Sequence, residues 1–139
     1  EALAEARRLI DFLPSSNRAP VPVRPFFDDP ERVEPSLDTL VPENPNTPYD
    51  MRELIQKIAD EGDLFEIQAE FARNILTGFV RLEGSTVGVV ANQPMVLAGC
   101  LDIDASRKVA RFVRFCDAFT IPILTLVDEP GFLPGTAQE

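Results

Sequence analysis

The 139-residue chain is about the size of one modest domain, and its 45% hydrophobic and 26% charged residues are typical of a globular fold. Thirteen basic and 23 acidic side chains give a formal net charge of −10, which argues against a nucleic-acid-binding protein because neutralising phosphates requires a surplus of Lys and Arg. The absence of histidine excludes a Ser-His-Asp triad and a histidine-ligated metal site within this sequence, and no apolar run approaches the roughly 18 residues of a membrane-spanning helix.

The first fifty residues predict one helix followed by a long segment without regular structure. Apolar residues recur at helical spacing over residues 2–13, and Pro14 ends this helix. Proline is so frequent over residues 15–49 that helix and central strand are excluded, and we expect this segment to run extended along the surface. Because a connector of this length is unusual inside a compact domain, we interpret it as an interdomain linker.

A second helix is predicted directly after the proline-rich segment. Asp50 is a suitable N-cap for a helix over residues 51–60, and Glu53 occupies the capping-box position. Gly62 stops this helix, and a strand is expected over residues 64–69.

The next part of the chain predicts an antiparallel hairpin. Residues 76–82 and 86–91 form two apolar, strand-like runs, and Glu83-Gly84-Ser85 between them has the composition of a hairpin turn. Asn92-Gln93-Pro94 then turns the chain into a short apolar run over residues 95–99.

The last third predicts a helix followed by an apolar strand. Asp104 is expected to cap a helix that runs through Phe119. The buried face of this helix is predicted to contain Ala105, Val109, Phe112, Val113, Cys116 and Phe119. Pro122 opens the apolar run 123–127, which is typical of a buried parallel strand. A strand–helix–strand order with two apolar strands implies an α/β layer architecture.

The loop 97–102 (Leu-Ala-Gly-Cys-Leu-Asp) is the first segment that can carry chemistry. Its small residues let a ligand approach the backbone closely, and N–H groups near a helix start can stabilise a developing oxyanion. The alternative is a tight structural turn that needs Gly99 for its dihedral angles. Cys100 and Cys116 fit no zinc or redox spacing; they indicate a reducing compartment, or two small buried hydrophobic side chains.

A basic stripe on the predicted third helix is the second candidate segment. Arg107, Lys108, Arg111 and Arg114 recur at spacings that place them on the face opposite the apolar one. This stripe can attract the phosphates of a nucleotide-like ligand, or it is a solvated face that balances nearby acidic residues.

The loop 128–136 after the last apolar strand is the third candidate, because ligands of open α/β sheets bind at the carboxyl ends of strands. Phe132 and Leu133 lie between two Pro-Gly pairs, where they line a pocket or belong to a rigid connector. Asp128 and Glu129 are either a general acid–base pair or, as adjacent loop carboxylates usually are, solvated.

Several runs of residues form a continuous pattern along the chain: YDMR (49–52), GDLFE (62–66), GFVRL (78–82), VGVVANQP (87–94), LAG (97–99), LDID (101–104), RFVRFCD (111–117) and PGFLPGT (130–136). This pattern resembles the carboxyltransferase (β) subunits of biotin-dependent acyl-CoA carboxylases, most closely those of the propionyl-CoA carboxylase type. The resemblance covers essentially the whole chain, including the proline-rich segment.

The resemblance implies a fold and a domain layout. It predicts an α/β chain that is part of a crotonase-like domain. Residues 1–14 would be the last helix of the N-terminal carboxyltransferase half, residues 15–49 the linker, and residues 50–139 the opening part of the C-terminal half. The chain is well below the size of such a two-domain subunit, so we expect it to be inactive alone. No Gly-Gly pair occurs in it, so the family's glycine-pair oxyanion segments are expected outside residues 1–139.

The resemblance also implies a reaction. In this family carboxybiotin on a swinging carrier domain gives its carboxyl group to the α-carbon of an acyl-CoA, and backbone N–H groups stabilise the negative charge that develops on oxygen. Biotin would therefore reside on a separate carrier, bound neither covalently nor with a metal here. The implied partners are propionyl-CoA, a biotin carboxylase or carrier subunit, and further copies in a homo-oligomer, a hexamer. The expected location is the bacterial cytoplasm or the mitochondrial matrix, with no nucleic acid or membrane partner.

The resemblance assigns no catalytic side chain within this chain. It implies that two loops border the biotin side of the cleft, through Ala98, Gly99, Cys100, Phe132, Leu133 and Gly135. Arg107, Lys108 and Arg111 are candidates for contacting the CoA phosphates. Two other interpretations stay open: a non-catalytic assembly or binding module, and a biotin-dependent decarboxylase or transcarboxylase subunit.

Overall fold

The computed structural model describes residues 1–135, which form α-helices around one four-stranded sheet. In chain order the elements are α1 (Ala2–Phe12), α2 (Met51–Ile58), β1 (Phe65–Glu66), β2 (Ile75–Leu82), β3 (Ser85–Asn92), α3 (Ile103–Ala118) and β4 (Ile123–Leu126). Short 3₁₀ turns cover Pro35–Thr39, Asp60–Gly62 and Leu97–Gly99. The predicted α/β class is confirmed. Thr136, the last residue of the loop 128–136, lies outside the described residues.

The sheet has the strand order β1-β2-β3-β4, with antiparallel pairing up to β3 and parallel pairing between β3 and β4. Glu83 and Gly84 form the β2–β3 turn with φ of 50° and 77°, and Leu82 pairs with Ser85. Two consecutive positive φ angles suit the right-handed twist of a tight hairpin. The predicted hairpin and strand–helix–strand unit are therefore confirmed, whereas β1 is much shorter than the predicted strand 64–69.

Both faces of the hairpin are covered, so β2 and β3 are buried along most of their length. On one face the Phe79 ring lies 6.1 Å from the Phe12 ring of α1 and 5.2 Å from the Phe112 ring of α3. On the other face Ile55 of α2 is fully buried in a cluster with Val80. Burial on both sides fixes the register of β3, because a one-residue slip would exchange its two faces.

The proline-rich segment runs along the surface as predicted, with one unpredicted 3₁₀ turn at Pro35–Thr39. Hydrogen bonds to main-chain carbonyls connect it to the rest of the fold. The Arg24 N–H donates to the Gly84 carbonyl at 2.9 Å, and the Arg32 guanidinium donates to the Ala59 carbonyl at 3.1 Å. These bonds hold the segment against the hairpin turn and the end of α2. Its role as a linker between domains stays a prediction.

Helix α2 begins as predicted but is capped more simply. The Asp50 carboxylate accepts a hydrogen bond from the Arg52 N–H at 3.0 Å. Glu53 does not complete a capping box; its carboxylate lies 3.5 Å from Lys57 Nζ one turn later. The helix ends at Ile58, earlier than predicted.

Helix α3 corrects three details of the sequence analysis. Its N-cap is Asp102 and not Asp104, because the Asp102 carboxylate accepts from the Ala105 N–H at 2.7 Å. Val113, predicted to be buried, is 37% exposed. Lys108, predicted to lie on the solvated face, is only 2% exposed and shares the buried stripe of the helix.

The cap assignment gives a direct prediction with a matched control two residues away. Replacing Asp102 with alanine should destabilise the protein by about 1 kcal/mol, because the N–H group of Ala105 loses its acceptor. Replacing Asp104 with alanine should have a smaller effect, since it removes an exposed 3.9 Å contact with Arg107 and a first-turn carboxylate but no cap hydrogen bond. Urea denaturation of both variants measures the difference. An equal loss from the two substitutions would contradict the assignment.

Strand β4 is parallel to β3 as predicted, but it is not buried on both faces. Among the described residues it lies at the edge of the sheet, where Ile123 is 36% and Val127 is 73% exposed. The apolar run therefore does not show burial on both faces within residues 1–135. Nowhere in that range is a helix long and apolar enough to cross a membrane.

Candidate functional site

The loops 97–102 and 128–135 meet beyond the carboxyl ends of β3 and β4. Leu101 and Phe132 form a parallel bridge. The Leu101 N–H donates to the Gly131 carbonyl at 3.1 Å, and the Leu133 N–H donates to the Leu101 carbonyl at 2.8 Å. Parallel strands deliver their following loops to the same edge of a sheet, which explains why segments so distant in sequence come together. The structure thus unites the first and third candidate segments.

The turn at Leu97–Gly99 has a left-handed backbone at three consecutive residues. The φ angles are 52° at Leu97, 53° at Ala98 and 78° at Gly99, although only the last is glycine. Leu97 and Ala98 are exposed, and neither of their N–H groups donates a hydrogen bond within residues 1–135. Left-handed backbone costs about 1 kcal/mol or more per non-glycine residue. The turn therefore presents two free main-chain donors at an energetic cost.

Gly99 is required by the approach of the two loops as well as by its φ angle. A Cβ atom built on Gly99 would lie 2.6 Å from the carbonyl oxygen of Asp128 and 3.5 Å from Cβ of Asn92. The first distance is far below ordinary van der Waals contact. The structural-turn interpretation of Gly99 is therefore correct for its geometry, and the same turn displays the free N–H groups.

Two buried asparagines hold the first loop, and neither was singled out from the sequence. The Asn92 side-chain amide donates to the Gly99 carbonyl at 2.9 Å, and its oxygen accepts from the Asp128 N–H at 3.3 Å. The Asn74 amide donates to the Cys100 carbonyl at 2.8 Å. Asn92 is 4% and Asn74 is 2% exposed. A polar residue at the end of an apolar strand, as Asn92 is, is the sequence signal that could have identified the first of them.

Gln93 connects the end of β3 to the start of α2. Its amide nitrogen donates to the Asp50 carboxylate at 2.7 Å, while its oxygen accepts from the N–H groups of Met51 at 3.3 Å and Met95 at 3.4 Å. Burial alone would raise the pKa of Asp50, but the hydrogen bonds from Gln93 and Arg52 outweigh it and lower that pKa. The charged carboxylate is thereby favoured as the helix cap.

An open cleft of about 730 Å³ lies beside the left-handed turn. Its walls are the proline-rich residues 41–49 on one side and Ala98 with residues 128–130 on the other. Across the cleft the Tyr49 hydroxyl donates to the Asp128 carboxylate at 2.7 Å. Burial and this carboxylate together raise the pKa of Tyr49 to about 12. The hydroxyl therefore stays protonated at neutral pH and ties the proline-rich segment to the second loop.

This contact predicts a pH dependence. The folded-state pKa of Tyr49, about 12, lies above the ordinary value of 10.0. Its contribution to stability is therefore complete below pH 10.0 and lost as the pH rises toward about 12. We expect Tyr49→Phe to be slightly less stable than wild type at neutral pH and to lose less stability across that alkaline range. Urea midpoints measured along a pH series test this, and parallel curves for the two proteins would contradict it.

The remaining candidate residues are distributed unevenly. Of those assigned to the biotin side, Gly99 is buried, Cys100 and Leu133 are half-buried, and the exposed ones are Ala98, Phe132 and Gly135. Phe132 is 72% exposed. Asp128 is exposed and engaged by Tyr49, which favours the solvated interpretation over an acid–base pair with Glu129.

The four residues of the basic stripe do not share one environment in the structure. Arg107, Arg111 and Arg114 are exposed along α3. The Lys108 ammonium instead points inward and donates to main-chain carbonyls at 2.8 Å, so its assignment to a solvent-facing phosphate site is wrong. The reason is that the helix buries the stripe from Ala105 through Lys108 to Cys116.

The site offers main-chain donors more than reactive side chains. Within residues 1–135 the N–H groups of Leu97 and Ala98 are free donors, and they lie beside the Tyr49–Asp128 pair. Within residues 1–135 no group of three or more His, Cys, Asp or Glu side chains is arranged to hold a metal ion. Free N–H groups on a rigid turn are suited to an oxygen atom that carries negative charge.

Comparison with known protein families shows which family the chain belongs to. The carboxyl transferase domain model matches residues 1–139, which is the entire sequence. The chain belongs to the carboxyl transferase family. The resemblance seen in the sequence motifs is confirmed.

Named members of the carboxyl transferase family are similar over the full chain. The propionyl-CoA carboxylase beta chain of Roseobacter denitrificans is 80% identical over 139 residues, which are 100% of this chain and 27% of that protein. The mitochondrial propionyl-CoA carboxylase beta chain of Sus scrofa is 55% identical over 139 residues, covering 100% of this chain and 26% of that protein. The chain thus spans about a quarter of the length of these relatives.

A solved carboxyl transferase structure shows the same fold. The transcarboxylase 12S hexamer, crystallised with hydrolysed methylmalonyl-coenzyme A, matches 99% of this chain and 26% of its own chain with a TM-score of 0.95 and 46% identity. The predicted crotonase-like carboxyltransferase fold is therefore confirmed. The domain boundaries within it stay predictions.

Proposed function

We propose that this chain is part of the carboxyltransferase subunit of a biotin-dependent acyl-CoA carboxylase that acts on propionyl-CoA. In the proposed layout, residues 1–14 belong to the N-terminal half, residues 15–49 link the halves, and residues 50–139 open the C-terminal half. The observation that supports this most directly is the 80% identity to a propionyl-CoA carboxylase beta chain over the whole sequence. Because the chain is about a quarter of that protein, residues 1–139 alone are proposed to be inactive.

The loops 97–101 and 132–135 are proposed to border the biotin side of the cleft. Carboxybiotin, on a separate carrier, supplies the carboxyl group. The free N–H groups of Leu97 and Ala98 fit an oxygen-bearing ligand, since they are exposed and lack partners within residues 1–135. Gly99 and Asn92 keep these donors in place. Because the donors are fixed before a ligand arrives, little reorganisation is needed when negative charge develops on that oxygen.

Arg107 and Arg111 are proposed to contact the phosphates of the CoA substrate. Both are exposed on α3, and the Arg107 side chain is 76% exposed with only a weak 3.9 Å contact to Asp104. Guanidinium groups on a solvated helix face can pair with phosphates when the substrate binds. Lys108 is not part of this proposal, because its ammonium is buried.

The proposed partners follow from the relatives. A biotin carboxylase or carrier subunit delivers carboxybiotin, and the subunit assembles with further copies of itself. Supporting this, the similar transcarboxylase 12S is described as a hexamer with substrate bound. The proposed location is the bacterial cytoplasm or the mitochondrial matrix, since the relatives include bacterial and mitochondrial chains.

One assay tests the proposed activity. The full-length protein is combined with a biotin carboxylase, its biotinylated carrier, ATP, bicarbonate and propionyl-CoA, and formation of methylmalonyl-CoA is followed by mass spectrometry. We expect ATP-dependent carboxylation that requires both proteins. Absence of product in the presence of an active biotin carboxylase would contradict the proposal.

A transcarboxylase is the second candidate, because transcarboxylase 12S has a TM-score of 0.95 to this chain. It would move the carboxyl group between two acceptors without ATP. The same full-length protein incubated with methylmalonyl-CoA, biotinylated carrier, a keto-acid acceptor and a second carboxyltransferase that carboxylates this keto acid from carboxybiotin separates the two. Turnover there without ATP, together with no ATP-dependent carboxylation, would favour the second candidate.

A further inference from the structure

Lys108 occupies an unusual position for a charged side chain. It lies on α3 with only 2% of its surface exposed. Its Nζ donates to three main-chain carbonyls, those of Phe71 and Ile75 at 2.8 Å and that of Ala72 at 3.4 Å. An ammonium has three N–H donors, so these carbonyls match its full hydrogen-bonding capacity. Burying such a charge is costly unless it is fully hydrogen-bonded, which indicates a specific role for this contact.

The carbonyls belong to residues 68–75, called here the 68–75 turn, which lead from β1 to the first residue of β2. This turn contains left-handed residues that are not glycine, with φ of 55° at Gln68 and 45° at Ala72. Strained backbone of this kind persists only where its surroundings hold it. Lys108 bonds to the carbonyl of Ala72 itself and to those of Phe71 and Ile75. The Lys108 ammonium therefore connects the strained backbone around Ala72 to α3 through hydrogen bonds.

The same turn carries Asn74, which reaches the candidate site. The Asn74 amide donates to the Cys100 carbonyl at 2.8 Å, and the Asn74 carbonyl accepts from the Gln93 N–H at 2.9 Å. Cys100 directly follows the left-handed turn that presents the free N–H groups. Three links therefore connect the ammonium to the loop: the turn that Lys108 holds, the side chain of Asn74, and the carbonyl of Cys100.

We propose that Lys108 is a positioning residue for carboxyl transfer, which holds the 68–75 turn so that Asn74 fixes the loop 97–101. This inference rests on the proposed function of that loop. Lys108 does not contact substrate; it acts through Asn74 on the placement of the Leu97 and Ala98 N–H groups. Misplacement of such donors weakens stabilisation of the transition state more than it weakens substrate binding.

The test uses the full-length carboxyltransferase with its biotin carboxylase partner and the variants Lys108→Met, Lys108→Gln and Asn74→Ala. We expect Lys108→Met and Asn74→Ala each to lower kcat about tenfold while KM for propionyl-CoA changes less than about twofold. The double variant should be no slower than either single one, because both act through the same link. Lys108→Gln keeps N–H donors and should recover part of kcat.

Val109→Ala is the matched control on the same helix. Val109 packs against the core, and no hydrogen bond joins its side chain to the 68–75 turn. We expect it to lower Tm as Lys108→Met does, but to leave kcat per folded enzyme unchanged. If Lys108→Met lowers only Tm and retains the wild-type kcat, the positioning role is refuted. Should Lys108→Met fail to fold, Lys108→Gln and Asn74→Ala decide in the same way.

A second readout does not depend on activity. Cys100 is half-buried in the loop that Asn74 holds, whereas Cys116 is buried. Alkylation of Cys100, followed by peptide mass spectrometry of the folded protein, should be faster in the Lys108 and Asn74 variants and unchanged in Val109→Ala. Unchanged alkylation in the Lys108 and Asn74 variants would overturn the inference. A wild-type protein without carboxyl transfer would refute the proposed function only, since alkylation still reports on the loop.

Discussion

Replacing Gly99 with alanine should lower the proposed carboxyl transfer by the full-length protein at least about 100-fold, because the free N–H groups beside it move out of place. The added Cβ would lie 2.6 Å from the Asp128 carbonyl oxygen, at a residue with a φ of 78°. Left-handed strain costs about 1–2 kcal/mol and the overlap about 1–3 kcal/mol more, so we expect a stability loss of about 2–5 kcal/mol. Steady-state kinetics and urea denaturation of the same preparation measure both.

Gly131→Ala is the control for the Gly99 substitution. Gly131 also has a positive φ, 142°, but a Cβ there would meet nothing within 4 Å among the described residues. It therefore adds backbone strain without overlap between the two loops. We expect a clearly smaller loss of activity than for Gly99→Ala, because the two loops still meet in the same way. Equal losses would show that the approach of Asp128 to Gly99 is not the cause.

Asn92→Leu is expected to have the second-largest effect. The substitution keeps the size of the side chain but leaves the Gly99 carbonyl and the Asp128 N–H without their buried partner. An unpaired buried polar group costs about 1–3 kcal/mol, so the loss of stability should be about 2–4 kcal/mol. Because both loops lose their common support, carboxyl transfer should fall about 100-fold with it. Urea midpoints and kcat report the two effects.

The control for Asn92→Leu is the same asparagine-to-leucine substitution at an exposed position. Asn17 is exposed in the proline-rich region and has no hydrogen bond from its side chain within residues 1–135. Asn17→Leu should therefore change stability by less than about 0.5 kcal/mol and leave kcat unaffected. A wild-type urea midpoint for Asn92→Leu would show that its amide does not support the loops.

The β2–β3 hairpin and the crossover to β4 could be predicted from sequence because their signals are local. Glu83-Gly84 suits a tight turn, and the apolar runs on both sides set the strands. The start of α3 was less determined, since Asp102 and Asp104 are both suitable caps. Leu101 decides between them: its hydrogen bonds to the second loop keep it extended, so the helix begins directly after Asp102.

The supports of the candidate site could not be predicted in the same way. Gly99 was recognised because a glycine among small residues signals a turn. Asn74 and Lys108 act on main-chain carbonyls distant in sequence, at Cys100 and in the 68–75 turn. Periodicity places a lysine on the solvated face of a helix, and only the folded chain brings together the carbonyls that make its burial favourable.

The shared edge where β3 and β4 end has a practical consequence for engineering. The cleft wall opposite the proline-rich residues 41–49 is formed by residues that lie after Asn92 and after Leu126, beyond the last paired positions of the sheet. Library mutagenesis aimed at the proposed biotin side of the cleft can therefore be confined to exposed positions of these two connections, such as Phe132. The register of the β2–β3 hairpin would then be unchanged, and each variant would keep the fold of the original protein.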